Sequence, residues 1–142
     1  MKTVKFYSVR RKRADGTYKG MYHARNHGLF SAPGYQTHHE RHPPPELDTD
    51  LSWDTAHVRI GVMRSELMFG FSSVAQCKAW LYNAEWCEHM HRNDFLLHCW
   101  DMPEDKVIYG RAQAVASQRE MYDSAPETFS LLDFEPLGIS EF

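Results

Sequence analysis

Apolar and polar residues alternate from Thr3 to Lys12, with Val4, Phe6 and Ser8 on one side and Lys5, Tyr7 and Val9 on the other. A period of two predicts a β-strand. Asp15-Gly16 then predicts a hairpin turn, because glycine supplies the positive φ of a tight turn. Thr17 to Ala24 is the returning strand. Residues 26–52 lose periodicity and carry Pro33-Gly34 and Pro43-Pro44-Pro45, which predicts a long loop. In Trp53 to Arg64, Ser52 is placed to cap a helix. Val58, Ile60 and Val62 nevertheless alternate with His57, Arg59 and Gly61, and the strand is the preferred reading.

Leu67 to Phe71 predicts a short strand running directly into a helix. Ser73 and Gln76 have the spacing of a capping box. Beyond them, Cys77, Trp80, Leu81, Ala84, Cys87 and His91 recur at steps of three or four. One helix is therefore expected from about Val74 to His91, with Asn93 as its left-handed stop. Phe95 to Trp100 is short, apolar and aromatic, and reads as a strand. Met102 to Lys106 is turn chemistry. Val107 to Ser117 alternates again and is expected to form an antiparallel hairpin with Phe95–Asp101.

These elements predict one α+β domain: a mainly antiparallel sheet of about five strands with one principal helix packed on a face. The expected core spans residues 1–118. Residues 119–142 form an acidic extension that still carries Phe129, Leu131, Leu132, Phe134, Leu137, Ile139 and Phe142. Disordered tails are poor in such side chains, so this segment is expected to pack on its own core or on a partner.

Composition agrees with a folded chain. Of 142 residues, 42% are hydrophobic and 13% aromatic, enough for a core within one domain. No apolar run approaches the ~18 residues of a membrane span. No secretion-signal core follows Met1-Lys2-Thr3-Val4-Lys5. Three cysteines without such a signal do not predict a disulfide framework. The cytoplasm is the expected location, with no membrane partner.

Charge changes the picture more. Residues 1–45 hold nine Lys/Arg against two Asp/Glu, and the remainder holds seven against seventeen, giving +7 and −10 within a net charge of −3. From Glu120 onward there are six acidic residues and no Lys or Arg. Such asymmetry predicts either surfaces that pair within the molecule or two separate partner surfaces.

The basic share centres on Arg10, Arg11, Lys12 and Arg13, with Tyr7, Tyr18 and Tyr22 nearby. Cations interleaved with aromatics can hold a phosphate backbone and stack bases. The competing reading is a solvated hairpin tip that keeps an edge strand soluble. The acidic remainder favours the tip and leaves nucleic acid a weak partner. His38, His39 and His42, followed by Glu46, Asp48 and Asp50, offer metal ligands or a pH-sensitive patch, but their spacing matches no zinc pattern. Cys87 and His91, four apart on one helix face, could share a zinc ion with Cys99 or His98 of the next strand. A buried cysteine on an apolar face is more often a small hydrophobe. A Cys–His nucleophile from the same residues lacks any sign of an activated thiolate. No complete catalytic set is present, and no cofactor beyond a possible zinc is implied.

Several short motifs carry a resemblance. Phe6-Tyr7-Ser8-Val9-Arg10, Gly20-Met21-Tyr22, His42-Pro43-Pro44-Pro45, Phe69-Gly70-Phe71-Ser72-Ser73, Asp94-Phe95 and Gly110-Arg111-Ala112-Gln113 together resemble a pattern of short phage- and prophage-encoded accessory proteins. It covers about residues 4–117, and the tail after Glu120 lies outside it. The resemblance implies a phage context, hence the cytoplasm of an infected or lysogenic bacterium. With the absent catalytic set and the split charge, the expected function is non-enzymatic binding of a bacterial host protein, as a host-takeover or counter-defence factor would do. The order of Arg, Phe-x-Ser-Ser and a late-strand polar residue also resembles the ADP-ribosyltransferase arrangement. That resemblance implies a nucleotide pocket lined by Arg10, Tyr22, Ser72 and Gln113. Gln113 stands where that family carries a glutamate, and an amide cannot supply the carboxylate that stabilises an oxocarbenium-like centre.

Overall fold

The computed structural model of the chain describes residues 2–12, 14, 18–20, 48, 50–81, 84–123 and 125–132. Its described strands are all paired antiparallel, in a four-stranded and a three-stranded sheet. The α+β class expected from the pattern is therefore observed, with the strands divided between two sheets where a single one was expected.

Strand β1 (Thr3–Lys12) has the predicted limits. It pairs with β2 (Tyr18–Gly20) in the register Arg10 to Gly20 and Lys12 to Tyr18. This is the described part of the expected hairpin. Along the rest of its length β1 pairs with β4 (Leu96–Pro103), Phe6 facing Trp100 and Ser8 facing His98. β7 (Glu127–Phe129) adds to the far side of β4, which completes the order β2-β1-β4-β7. The second sheet has the order β3-β6-β5, from β3 (Leu67–Gly70), β5 (Val107–Tyr109) and β6 (Ala114–Ser117).

Three apolar clusters stack these elements in layers. Val9, Leu97 and Phe95 meet Cys77, Trp80, Leu81, Cys87 and Met90 on one face of the first sheet. The opposite face presents Phe6, Trp100 and Met102 to Met68, Ala114 and Ala116 of the second sheet. The outer face of that second sheet, with Leu67, Val115 and Ile108, is covered by Leu51, Ala56 and Ile60. Small alanines on β6 let the two sheets approach, as strand alternation permits.

Four local expectations need correction. Trp53–Ile60 is a helix, α1, not a strand. Ala56 and Ile60 are its buried residues, four apart, and Gly61 at φ 85 ends it. The Gly61 and Val62 amides both donate to His57 O, the pattern of a left-handed C-terminal stop. The alternation of Val58, Ile60 and Val62 was therefore incidental.

The helix expected over 74–91 is two: α2 (Val74–Trp80) and α3 (Ala84–Arg92), with Leu81 at φ −96, ψ 60 between them. The break sends Met90 fully into the core and leaves His91 only partly buried. The stop is Asp94 at φ 68, not Asn93. Asp94 N donates to His91 O and Phe95 N to Met90 O, closing a Schellman motif. Phe95 and Met90 share a core cluster, the apolar contact that accompanies that motif. Asn93 instead donates Nδ2 to His89 O at 2.8 Å.

Val107–Ser117 is not one strand but the hairpin β5–β6, turned at Gly110–Gln113. Its expected partner β4 lies in the other sheet. Of the extension after residue 118, the described part packs on this chain: β7 pairs with β4, and Leu131 is buried with Val9 and Phe95.

Candidate functional site

Three of the motifs singled out in the sequence, at residues 6–10, 69–73 and 110–113, are linked where the two sheets join. Tyr7 and Phe71 form an isolated bridge, with Tyr7 N donating to Phe71 O at 2.9 Å and Phe71 N to Tyr7 O at 2.6 Å. Only a residue without a side chain fits just before it. A Cβ on Gly70 would collide with Tyr7 O and lie 2.6 Å from the Phe6 ring. Ser8 Oγ donates to Phe69 O at 2.9 Å. The Arg10 guanidinium follows, with Nε to Ser8 Oγ at 2.8 Å and an amino nitrogen to Phe69 O at 3.3 Å.

The next turn of chain is equally committed. Ser73 Oγ accepts from Gln76 N at 3.1 Å, the predicted cap. Gln76 Oε1 accepts from Ser72 N at 2.8 Å, one residue before the position a standard capping box would use. Gln76 Nε2 donates to Gly110 O and Arg111 O. On the other side of that turn, Asp48 accepts from the amides of Arg111, Ala112 and Gln113 at 2.6, 2.9 and 3.3 Å. Three convergent amides form a nest that solvates a buried carboxylate, and Asp48 is 4% exposed. One glutamine and one aspartate thus tie the β5–β6 turn to α2 and to the segment before α1.

His98 lies opposite Ser8 on the face that also carries Arg10. It is buried, its ring stacks on Trp100, and Nδ1 donates to Leu96 O. Burial holds its pKa below the usual imidazole value; the Leu96 carbonyl opposes this, and the Arg10 and Lys12 charges add to it.

The predicted pocket residues are partly gathered. Arg10 contacts Phe69, Ser72 follows on the same chain three residues later, and Gln113 immediately precedes β6, which pairs with β3. Gln113 is buried. Tyr22 lies outside the described residues. The basic run is divided by strand alternation: Arg10 turns inward, Arg11 lies 5.6 Å over the Phe95 ring, and Lys12 is exposed. Arg13 lies outside the described residues, as do His38, His39 and His42.

Cys87, His91 and Cys99 are not brought together. Among the described residues no three His, Cys, Asp or Glu side chains are placed to hold an ion. Cys87 points into the core toward Leu81 O, and burial pushes its thiol up to about 11. His91 sits beside Ser130. Cys99 is on the sheet opposite Tyr7, with its pKa raised by burial against the opposing effects of Tyr7 and Lys5. The break between α2 and α3, which put Met90 at the core position expected for His91, is the physical reason.

A different surface was missed. Val58 and Met63 are 69% and 67% exposed. Ala56 and Ile60 face inward on α1, and Val58, two residues from each, faces outward by the 3.6-residue period. Arg59 and Arg64, the next residues in sequence, are exposed too, and Arg64 lies 5.4 Å from the centre of the Trp53 ring. Reading residues 53–64 as a strand hid this face, because a strand would have placed Val58 on the same side as Ile60. A helical wheel drawn from Ser52 to Gly61 exposes the outward valine. Among the described residues, no helix is long and apolar enough to cross a membrane.

Comparison with known proteins gives one family. The family model described as "Bacteriophage T4 Y00F protein" matches residues 1–128. Neither the curated proteins nor the solved structures include a match to the chain.

Proposed function

The chain belongs to the bacteriophage T4 Y00F protein family, and from that premise we propose that this phage accessory protein binds a protein of the bacterial host without catalysis, as a host-takeover or counter-defence inhibitor does. The observation that carries the reading is the exposed surface of α1 and of the connection that leaves it. Two large apolar side chains, Val58 and Met63, stand mostly in water beside Arg59 and Arg64. Methionine and arginine are among the residue types that interface centres favour.

The polar groups of the seam support the same reading. Ser73, Gln76, Asp48 and Arg10 each hold backbone groups in place, so these side chains brace the scaffold that presents α1. The test is affinity capture from lysate of the bacterial host with the wild-type protein, Val58→Asp/Met63→Asp and Lys12→Ala. One bacterial protein should be retained by wild type and by Lys12→Ala and lost with the α1 variant. Equal recovery by all three would defeat the proposal.

The contact of Arg10 with Phe69, three residues before Ser72, favours a second reading: a nucleotide-shaped pocket of the ADP-ribosyltransferase type, with binding but weakened chemistry because Gln113 replaces the glutamate. Calorimetric titration with NAD checks it. Saturable heat that disappears in Arg10→Ala supports a pocket, and no heat sinks it.

A further inference from the structure

We propose that the Gly110–Gln113 turn is a carboxylate-binding site in its own right, and that Asp48 is a ligand the chain supplies to itself. The contacts have the form of ligand recognition. Asp48 Oδ1 accepts from Arg111 N at 2.6 Å, and Oδ2 accepts from Ala112 N at 2.9 Å and Gln113 N at 3.3 Å. Both oxygens are engaged, so the site reads the planar two-oxygen group and not negative charge alone. Successive amides turned to one side make such an anion concavity.

Groups other than Asp48 hold the turn in this shape. Gly110 N donates to Gln113 O at 2.7 Å, and the β5–β6 ladder closes directly behind at Tyr109 and Ala114. Gln76 Nε2 donates to Gly110 O at 3.2 Å and to Arg111 O at 3.0 Å. In a trans peptide the carbonyl and the amide of one unit point opposite ways. Pinning those two carbonyls on α2 therefore turns the Arg111 and Ala112 amides the other way, toward Asp48. Gly110 leaves the room for the anion. A Cβ there would lie 2.7 Å from Asp48 Oδ1 and from Gln113 O, and 2.8 Å from Asp48 Cγ. The space of a side chain at 110 is the space the carboxylate takes.

The ligand comes from 63 residues before Arg111, and its own carbonyl is engaged at the entry to α1. Asp48 O accepts from Leu51 N at 3.1 Å, and Leu51 is buried with Ala56 and Ile60. Filling the site thus ties the chain entering α1 to the β5–β6 turn. The external ligand that matches the space is a small monocarboxylate of the size of formate, admitted when the side chain at 48 is removed.

The test is urea unfolding of the full-length protein while sodium formate replaces sodium chloride at constant ionic strength and neutral pH. In Asp48→Gly the ratio of folded to unfolded protein is expected to grow with formate, by about tenfold for each tenfold in concentration once the site fills. Hydrogen exchange should show protection returning at the Arg111, Ala112 and Gln113 amides. Wild type and Asp48→Asn, whose side chains still fill the space, should respond to formate no more than to chloride. Asp48→Gly/Gln76→Ala, with the turn unbraced, should lose most of the response. Should Asp48→Gly stay unfolded in chloride, the folded fraction on adding formate is read by circular dichroism instead, and none would overturn the proposal. An equal response in Asp48→Gly and wild type would be a general salt effect and would overturn it. So would an equal response of Asp48→Gly to phosphate, which would deny the site its preference for a carboxylate.

Discussion

Gly70 passes so close to Tyr7 that a Cβ at position 70 would overlap the Tyr7 carbonyl oxygen and lie 2.6 Å from the Phe6 ring. The approach allows Phe71 to exchange both backbone hydrogen bonds with Tyr7 and so joins the second sheet to the first. Gly70→Ala is expected to cost about 1–3 kcal/mol, the range for overpacking a filled core. Urea unfolding checks it: the midpoint should fall with an unchanged slope. A midpoint equal to wild type would mean the sheets are not joined there.

How much of this was legible depends on whether a segment's pattern was also its environment. β1 kept its predicted limits because its alternation coincides with two buried faces, Phe6 toward one cluster and Val9 toward another. The Ser73–Gln76 cap is a local hydrogen bond between neighbours, so it was readable. α1 was not, since Val58, Ile60 and Val62 imitate a strand while the deciding feature is Gly61 at φ 85. The Gly110–Gln113 turn was invisible because it is fixed by Asp48, more than sixty residues away. At the site, Arg10 and Ser72 were legible as polar positions, the bonds of Arg10 to Ser8 and Phe69 were not because they join strands far apart in sequence, and the exposed Val58 was hidden by the strand reading.

Asp48→Ala should destabilise the protein by about 1–3 kcal/mol, because up to three amides lose their acceptor. Hydrogen exchange localises the effect. The amides of Arg111, Ala112 and Gln113 should lose protection selectively, with β1 and β4 little changed. Uniform loss across the chain would contradict a local role.

Stability should fall in acid in a way that traces to His98. Its folded pKa lies below the ordinary 6.5, chiefly from burial. The unfolded chain therefore takes up the proton first. The contribution is fully present above about pH 6.5 and is lost as pH falls through that value toward the folded pKa. Urea midpoints across this range for wild type and His98→Gln check it, and the difference between the two should shrink toward acid. A difference independent of pH would contradict the assignment.

The buried thiols should be unreactive. Cys77, Cys87 and Cys99 are free and buried, and burial raises all three pKa values, Cys87 to about 11. Thiolate is the reacting form. A disulfide reagent at neutral pH should label the native protein slowly and all three cysteines promptly in denaturant. Rapid labelling of Cys77 or Cys87 in the native state would contradict their placement in the core.

The measurement that bears most directly on the central claim is site-specific photocrosslinking in infected bacteria. A photoreactive amino acid is placed singly at Val58, at Met63 and, as a control, at Lys12. Binding through α1 predicts one adduct with the same bacterial protein from positions 58 and 63 and none from position 12. The same adduct from position 12 alone, or no adduct from 58 and 63, would contradict it.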